Sequence, residues 1–159
     1  MKKALFLALF LSSAAFAQQK HVWVLPEADA PRLQRVLFDS KVAGEPVSCY
    51  VFTPESYDTN KEQRFPVLYW LHGSGGSSPS SAAQVAQRYG EAMRTGKIPP
   101  MIMVFPNGLP MGMWCDWKDG SVKLETMFIE ELIPQLTHGV ANRPWGFISS
   151  LSASAAPKP

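Results

Sequence analysis

The sequence predicts an α/β protein in which N-terminal antiparallel strands lead into a mostly parallel sheet with helices on both faces. Three observations predict it. Residues 67–71 and 101–105 are unbroken apolar runs, the pattern of strands buried on both faces. Each run ends abruptly in a turn: His72-Gly73 followed by Ser74-Gly75-Gly76, and Pro106-Asn107-Gly108. Between them, residues 82–94 carry helix formers with Val85, Tyr89 and Met93 at four-residue spacing, so one face of a helix is apolar.

The first 17 residues stand outside this fold. Met1-Lys2-Lys3, the apolar residues 4–11 and the small-residue ending Ala15-Phe16-Ala17 are the parts of a secretory signal peptide cut after Ala17. Its apolar core is too short to span a bilayer. The expected organisation is 1–17 as signal, 18–154 as one domain and 155–159 as a tail, with a secreted or periplasmic destination. Removing Lys2 and Lys3 leaves 13 basic residues against 13 acidic ones. A neutral chain without basic clusters lacks the concentrated positive field that nucleic acid or an anionic membrane requires, so no nucleic acid and no membrane is expected as partner after cleavage. A small molecule or a neutral polymer remains; the oligomeric state leaves no mark.

The elements follow in order. Residues 22–25, 35–38 and 47–52 are rich in β-branched and aromatic residues and predict extended structure, the last two joined into an antiparallel hairpin by a turn over 41–46 containing Gly44 and Pro46. Residues 54–64 are polar and predict a solvated loop into the strand at Val67. A Ser/Pro loop over 77–81 precedes the first helix, and Pro99-Pro100 separates that helix from the strand at Met101. Ser121 is the expected N-cap of a second helix with Leu124, Phe128, Leu132 and Leu136 on one face, kinked or ended by Pro134. A third apolar stretch, Trp145-Gly146-Phe147-Ile148, leads into the serine-rich residues 149–154.

Two cysteines, Cys49 and Cys115, lie far apart in the sequence, and two readings stand: a disulfide formed in an oxidising compartment, or two buried free thiols. His21, His72 and His138 share no short ligand spacing with each other or with either cysteine, so no metal site is expected.

The glycines after His72 let backbone N–H groups turn toward a bound group, the device by which an N–H after the third strand of an α/β-hydrolase helps hold an oxyanion. The segments Pro66-Val67-Leu68-Tyr69-Trp70-Leu71-His72-Gly73-Ser74-Gly75-Gly76, Met101-Ile102-Met103-Val104-Phe105-Pro106-Asn107-Gly108 and Glu125-Thr126-Met127-Phe128-Ile129-Glu130-Glu131-Leu132-Ile133-Pro134 occur in this order. Together they resemble the α/β-hydrolase esterase family that includes esterase D and secreted feruloyl and acetylxylan esterases, over about residues 33–154.

The resemblance implies an exported serine carboxylic-ester hydrolase acting on a small-molecule or carbohydrate-linked ester, with no cofactor. It aligns Ser150-Leu151-Ser152-Ala153-Ser154 with the family's Gly-x-Ser-x-Gly elbow. Ser152 then stands as the nucleophile, with serines where both glycines belong. Each added Cβ is expected to cost about 1–3 kcal/mol in the strained turn. The N–H groups of Ser74 and Ala153 would hold the oxyanion, and His72, Gly73, Gly75, Trp114 and Trp117 would border the substrate. In the family, acid and base follow the elbow, and residues 153–159 contain neither. The expectation is therefore the N-terminal part of a truncated α/β-hydrolase fold, inactive as this chain and prone to aggregate through an unpaired strand edge.

Other readings stand beside these. Ser152 is equally an ordinary serine of an Ala/Ser-rich tail. His72 reads as a hydrogen-bonded structural residue rather than a proton carrier, because in the family it is the backbone after it that acts. Trp114 and Trp117, beside Asp116 and Asp119, either line a cleft for sugar or aromatic rings or fold inward in a surface turn. The alternatives to an esterase are a non-catalytic extracytoplasmic carbohydrate-binding module and a gene fragment without function.

Overall fold

The computed structural model describes residues 21–59 and 62–139. Its centre is a four-stranded mixed sheet in the order β1-β2-β4-β3. β1 (Leu33–Ser40) and β2 (Glu45–Phe52) form the expected hairpin, from Leu33 opposite Phe52 to Ser40 opposite Glu45. β2 also pairs antiparallel with β4 (Ile102–Pro106), which pairs in parallel with β3 (Val67–Tyr69). Among the described residues one of the three pairings is thus parallel, where a mostly parallel sheet was expected. The third apolar stretch and the elbow, at 145–154, lie outside the described residues, as do the signal segment 1–17 and the tail.

Strand alternation sorts the side chains onto two faces. Val36, Phe38, Val47, Cys49, Val51, Ile102 and Val104 share one core cluster with Leu124, Met127, Leu132 and Leu136 of the last helices. Leu33, Tyr50, Phe52, Met103 and Phe105 share the other with Ala82 and Ala86 of α2 (Pro79–Arg94). Helices therefore cover both faces, as expected. β4 is buried along its whole length because it has strands on both sides and helices above and below.

Several boundaries differ from the expectation. The run at Val67 is not buried throughout: β3 is half-buried, and Trp70 and Leu71 are 38% and 46% exposed. Within the described residues β3 is an edge strand, held on one side by β4; the Trp70 N–H still reaches the Val104 carbonyl (2.8 Å) before the chain leaves the sheet. Residues 22–25 form no strand. They run beside β2 instead, where the Ser48 N–H donates to the Trp23 carbonyl and the Ser48 hydroxyl accepts from the Leu25 N–H. The segment expected as a solvated loop contains the short helix α1 (Ser56–Thr59), which buries Tyr57. α2 starts three residues early, because Ser78 is its N-cap in a reciprocal capping box with Ser81 and Pro79 takes the first turn, where its missing N–H costs nothing.

Ser121 does not cap the second helix. α3 (Leu124–Met127) begins after Lys123, and the carboxylate of Asp116 accepts the N–H and hydroxyl of Thr126 in its first turn. Ser121 instead bonds Asp119. A π-helical segment, Phe128–Leu132, follows, and then α4 (Ile133–Gly139). The helical path does not end at Pro134. The wider turn before it hands the Ile133 N–H to the Phe128 carbonyl, and Pro134 falls in the first turn of α4, where a donor is dispensable.

A cleft of about 690 Å³ lies between α2 and the chain around Phe52, bordered by Pro54, Ala86, Gly90, Met93 and Pro100. By the register of β2 on β4 it sits at the opposite end of β4 from the His72–Gly76 loop.

Candidate active site

Parallel pairing of β3 and β4 brings the ends of both strands to one edge of the sheet, so the loops that follow lie side by side. His72 is where they lock. Its Nε2 accepts the Gly108 N–H at 3.0 Å, which leaves the proton on Nδ1, and Nδ1 donates to the Gly73 carbonyl at 2.8 Å. The His72 carbonyl accepts the Trp114 indole N–H at 2.9 Å. Both ring nitrogens are thus occupied within the two loops.

The glycine-rich turn beyond is held at one further point. The Gly75 N–H donates to the Pro110 carbonyl (3.2 Å), and Gly75 and Gly76 take φ values of 97° and 86°, a region open to glycine and costly for other residues. Ser74 is exposed, and among the described residues its N–H has no hydrogen-bond partner. Residues 71–81 carry no formal charge, so what this loop offers a ligand is oriented amide dipoles.

The facing loop is built around side chains that the sequence did not single out. Asn107, 3% exposed, donates from Nδ2 to the Val22 and Trp23 carbonyls (2.9 and 2.8 Å) and accepts the Leu109 N–H on Oδ1. Gly108 lies beneath the Trp114 indole, where an added Cβ would come within 2.5 Å of the ring. The Pro-Asn-Gly signal had suggested a turn; its tie to residues 22 and 23 has no local signature.

His72, Gly73, Ser74, Gly75 and Trp114 thus converge on one site. Trp117 stands apart: half-buried, it packs on the α3–α4 side of the core with the His21 ring 5.3 Å away. Asp116 and Asp119 are turned to local capping. Hydrogen bonds from Thr126 hold the Asp116 carboxyl below the usual range, and those from Ser121 do the same for Asp119. Ser152 and Ala153 lie outside the described residues. Cys49 is buried and Cys115 exposed, both as free thiols, so neither the disulfide nor the pair of buried thiols is found. Among the described residues no group of His, Cys, Asp and Glu side chains is placed to hold a metal, and no helix is long and apolar enough to cross a membrane.

Residues 40–154 match the family model described as "Putative esterase". Over 115 residues, 65% of this chain and 15% of the other, the sequence is 32% identical to an endo-1,4-beta-xylanase/feruloyl esterase of Xylanibacter ruminicola. A solved ferulic acid esterase superposes with a TM-score of 0.60 at 28% identity, covering 69% of this chain and 44% of that one. A ferulic acid esterase from Anaeromyces mucronatus, in complex with ferulic acid, gives 0.51 at 21% identity, covering 70% and 44%, a likeness of fold. The chain spans less than half the length of each of these proteins. The family match extends over well more than half of the chain, and the chain belongs to this esterase family.

Proposed function

We propose that the domain serves an exported carboxylic-ester hydrolase of feruloyl-esterase type, and that the described residues supply the oxyanion side of its site. The observation that carries this reading is the Ser74 N–H: it is exposed and unbonded, on a loop fixed at His72 on one side and at Gly75 on the other. A donor immobilised before substrate arrives needs no reorganisation when negative charge develops on the carbonyl oxygen, and this is the physical basis of oxyanion stabilisation. In this reading Ser152 is the nucleophile and the Ala153 N–H the second donor, the substrate is an aromatic-acid ester on a small alcohol or a carbohydrate, and no cofactor is required.

Neither His21 nor His72 is suited to be the base. Both nitrogens of His72 are engaged, and His21 packs against the rings of Trp23 and Trp117. We therefore expect these 159 residues by themselves to bind ester without turning it over. Incubation of the chain with methyl ferulate and p-nitrophenyl acetate should release product at the rate of buffer alone. Hydrolysis abolished by Ser152→Ala would overturn this expectation. The carbohydrate-binding alternative depends on indole faces open to sugar, and Trp114 and Trp117 both pack inward. Binding of xylo-oligosaccharide in preference to methyl ferulate would favour it.

A further inference from the structure

We infer, on the basis of the esterase reading above, that Trp114 is a positioning residue: its indole clamps the His72 carbonyl and packs on the His72 imidazole, which through its Nδ1 holds the Gly73 carbonyl and with it the 73–74 peptide that bears the Ser74 N–H. Four features of the loop between β4 and α3 support this role.

The first is the hydrogen bond itself, indole N–H to His72 carbonyl at 2.9 Å. The second is how firmly the ring is held. It lies against the His72 imidazole (centroids 4.9 Å apart) and Phe128 (5.8 Å), and Gly108 leaves room for it as no other residue would. The third is backbone strain. Met113 and Trp114 adopt φ of 57° and 56°, and Leu109 also 57°. Bulky side chains seldom occupy this region, and such strain persists only where the surroundings enforce it. Met113 and Trp114 are the central residues of a turn closed by the Cys115 N–H approaching the Gly112 carbonyl (3.5 Å), a position where glycine or asparagine is usual. The fourth is Gly112, where an added Cβ would stand 1.9 Å from the Gly108 carbonyl oxygen, so the loop is folded tightly upon itself.

The consequence for the site is geometric. The plane of the 72–73 peptide is set by the indole, the imidazole is set by the Gly108 N–H, the 73–74 peptide is set by the imidazole through the Gly73 carbonyl, and the 74–75 peptide is set by Pro110. Ser74 lies between these anchors, and its N–H, like those of Gly73 and Gly76, has no hydrogen-bond partner among the described residues. Without the indole the 72–73 peptide and the imidazole both lose a support, the bond from Nδ1 to the Gly73 carbonyl loosens, and the Ser74 N–H loses its direction while the rest of the sheet is unaffected.

The test compares the full chain with its Trp114→Phe variant, which keeps an aromatic ring and removes the donor. Amide exchange at Gly75 and Gly108, whose N–H groups are hydrogen-bonded across the two loops, should accelerate about tenfold or more in the variant, with the core amides of β2 and β4 unchanged. The Ser74 amide shift induced by methyl ferulate should shrink correspondingly. Unchanged exchange, with methyl ferulate shifting Ser74 equally in both proteins, would overturn the clamp and leave the esterase reading standing. Accelerated exchange, with Ser74 indifferent to methyl ferulate in the wild type, would support the clamp and overturn the esterase reading. If Trp114→Phe does not fold, exchange of the Trp114 indole proton and of the Gly75 amide is followed in the wild type under increasing urea. One shared opening supports the clamp; two independent openings overturn it.

Discussion

At the scale of single residues, the site is held by side chains that satisfy backbone groups across long sequence distances. Asn107 is the clearest case, since it joins residues 22 and 23 to the turn after β4. Asn107→Ala leaves the Leu109 N–H and the Val22 carbonyl without their partner and is expected to lower stability by about 2–3 kcal/mol, read from urea unfolding. A loss within experimental error would show that the tie is dispensable. The two thiols differ in the same local way. Burial pushes the Cys49 thiol up to about 12, whereas Cys115 is exposed, so iodoacetamide should modify Cys115 in the native protein and spare Cys49. Equal labelling would contradict the burial of β2. The sequence revealed the His-Gly-Ser-Gly-Gly loop because its composition is unusual, and it favoured a structural His72 without showing what the ring holds. Its partner lies 36 residues away, the Gly108 N–H, which no local pattern announces.

At the scale of elements, strands and helices were legible wherever apolar periodicity spoke for them: the hairpin, α2 and β4. Errors arose where a side chain from elsewhere intervened. Ser121 had the right chemistry for an N-cap, yet Asp116, ten residues before Thr126, fills that place. Hydrogen bonds from Thr126 hold the Asp116 carboxyl down, so its contribution to stability is complete above the unfolded value and is lost as pH falls through the lower folded one. Asp116→Asn should therefore flatten the acid side of the stability profile, and an unchanged acid limb would refute the capping role. Glu131 acts similarly at a longer range. From the π-helical segment it accepts the Ser40 hydroxyl and the N–H groups of Lys41 and Val42, joining the hairpin turn to the last helices. Glu131→Ala should destabilise the chain by about 1–3 kcal/mol in chemical denaturation, and a neutral result would mean that this junction is held by packing alone.

At the scale of the whole molecule, one sheet with helices on both faces brings the loops after β3 and β4 to a common edge, and the esterase reading depends on that edge. Burial of β2 also sets an alkaline limit. Cys49 and Tyr50 are both raised to about 12, from 9.0 and 10.0, chiefly by desolvation. Their neutral forms favour the folded state, so this stability is fully present below pH 9 and is lost as the pH climbs toward 12. Unfolding midpoints measured from pH 8 upward should fall, and Cys49→Ala should remove part of the slope. Function is the level least legible from the residues alone, because the chemistry proposed for the loop depends on backbone N–H groups whose freedom is set by where their neighbours' hydrogen bonds go. The decisive measurement is the amide spectrum of the full chain during titration with methyl ferulate. The account predicts that Ser74 shifts most, with Gly73 and Gly75 beside it; shifts centred on Ala86 and Gly90 of the cleft behind Phe52, with Ser74 unmoved, would contradict it.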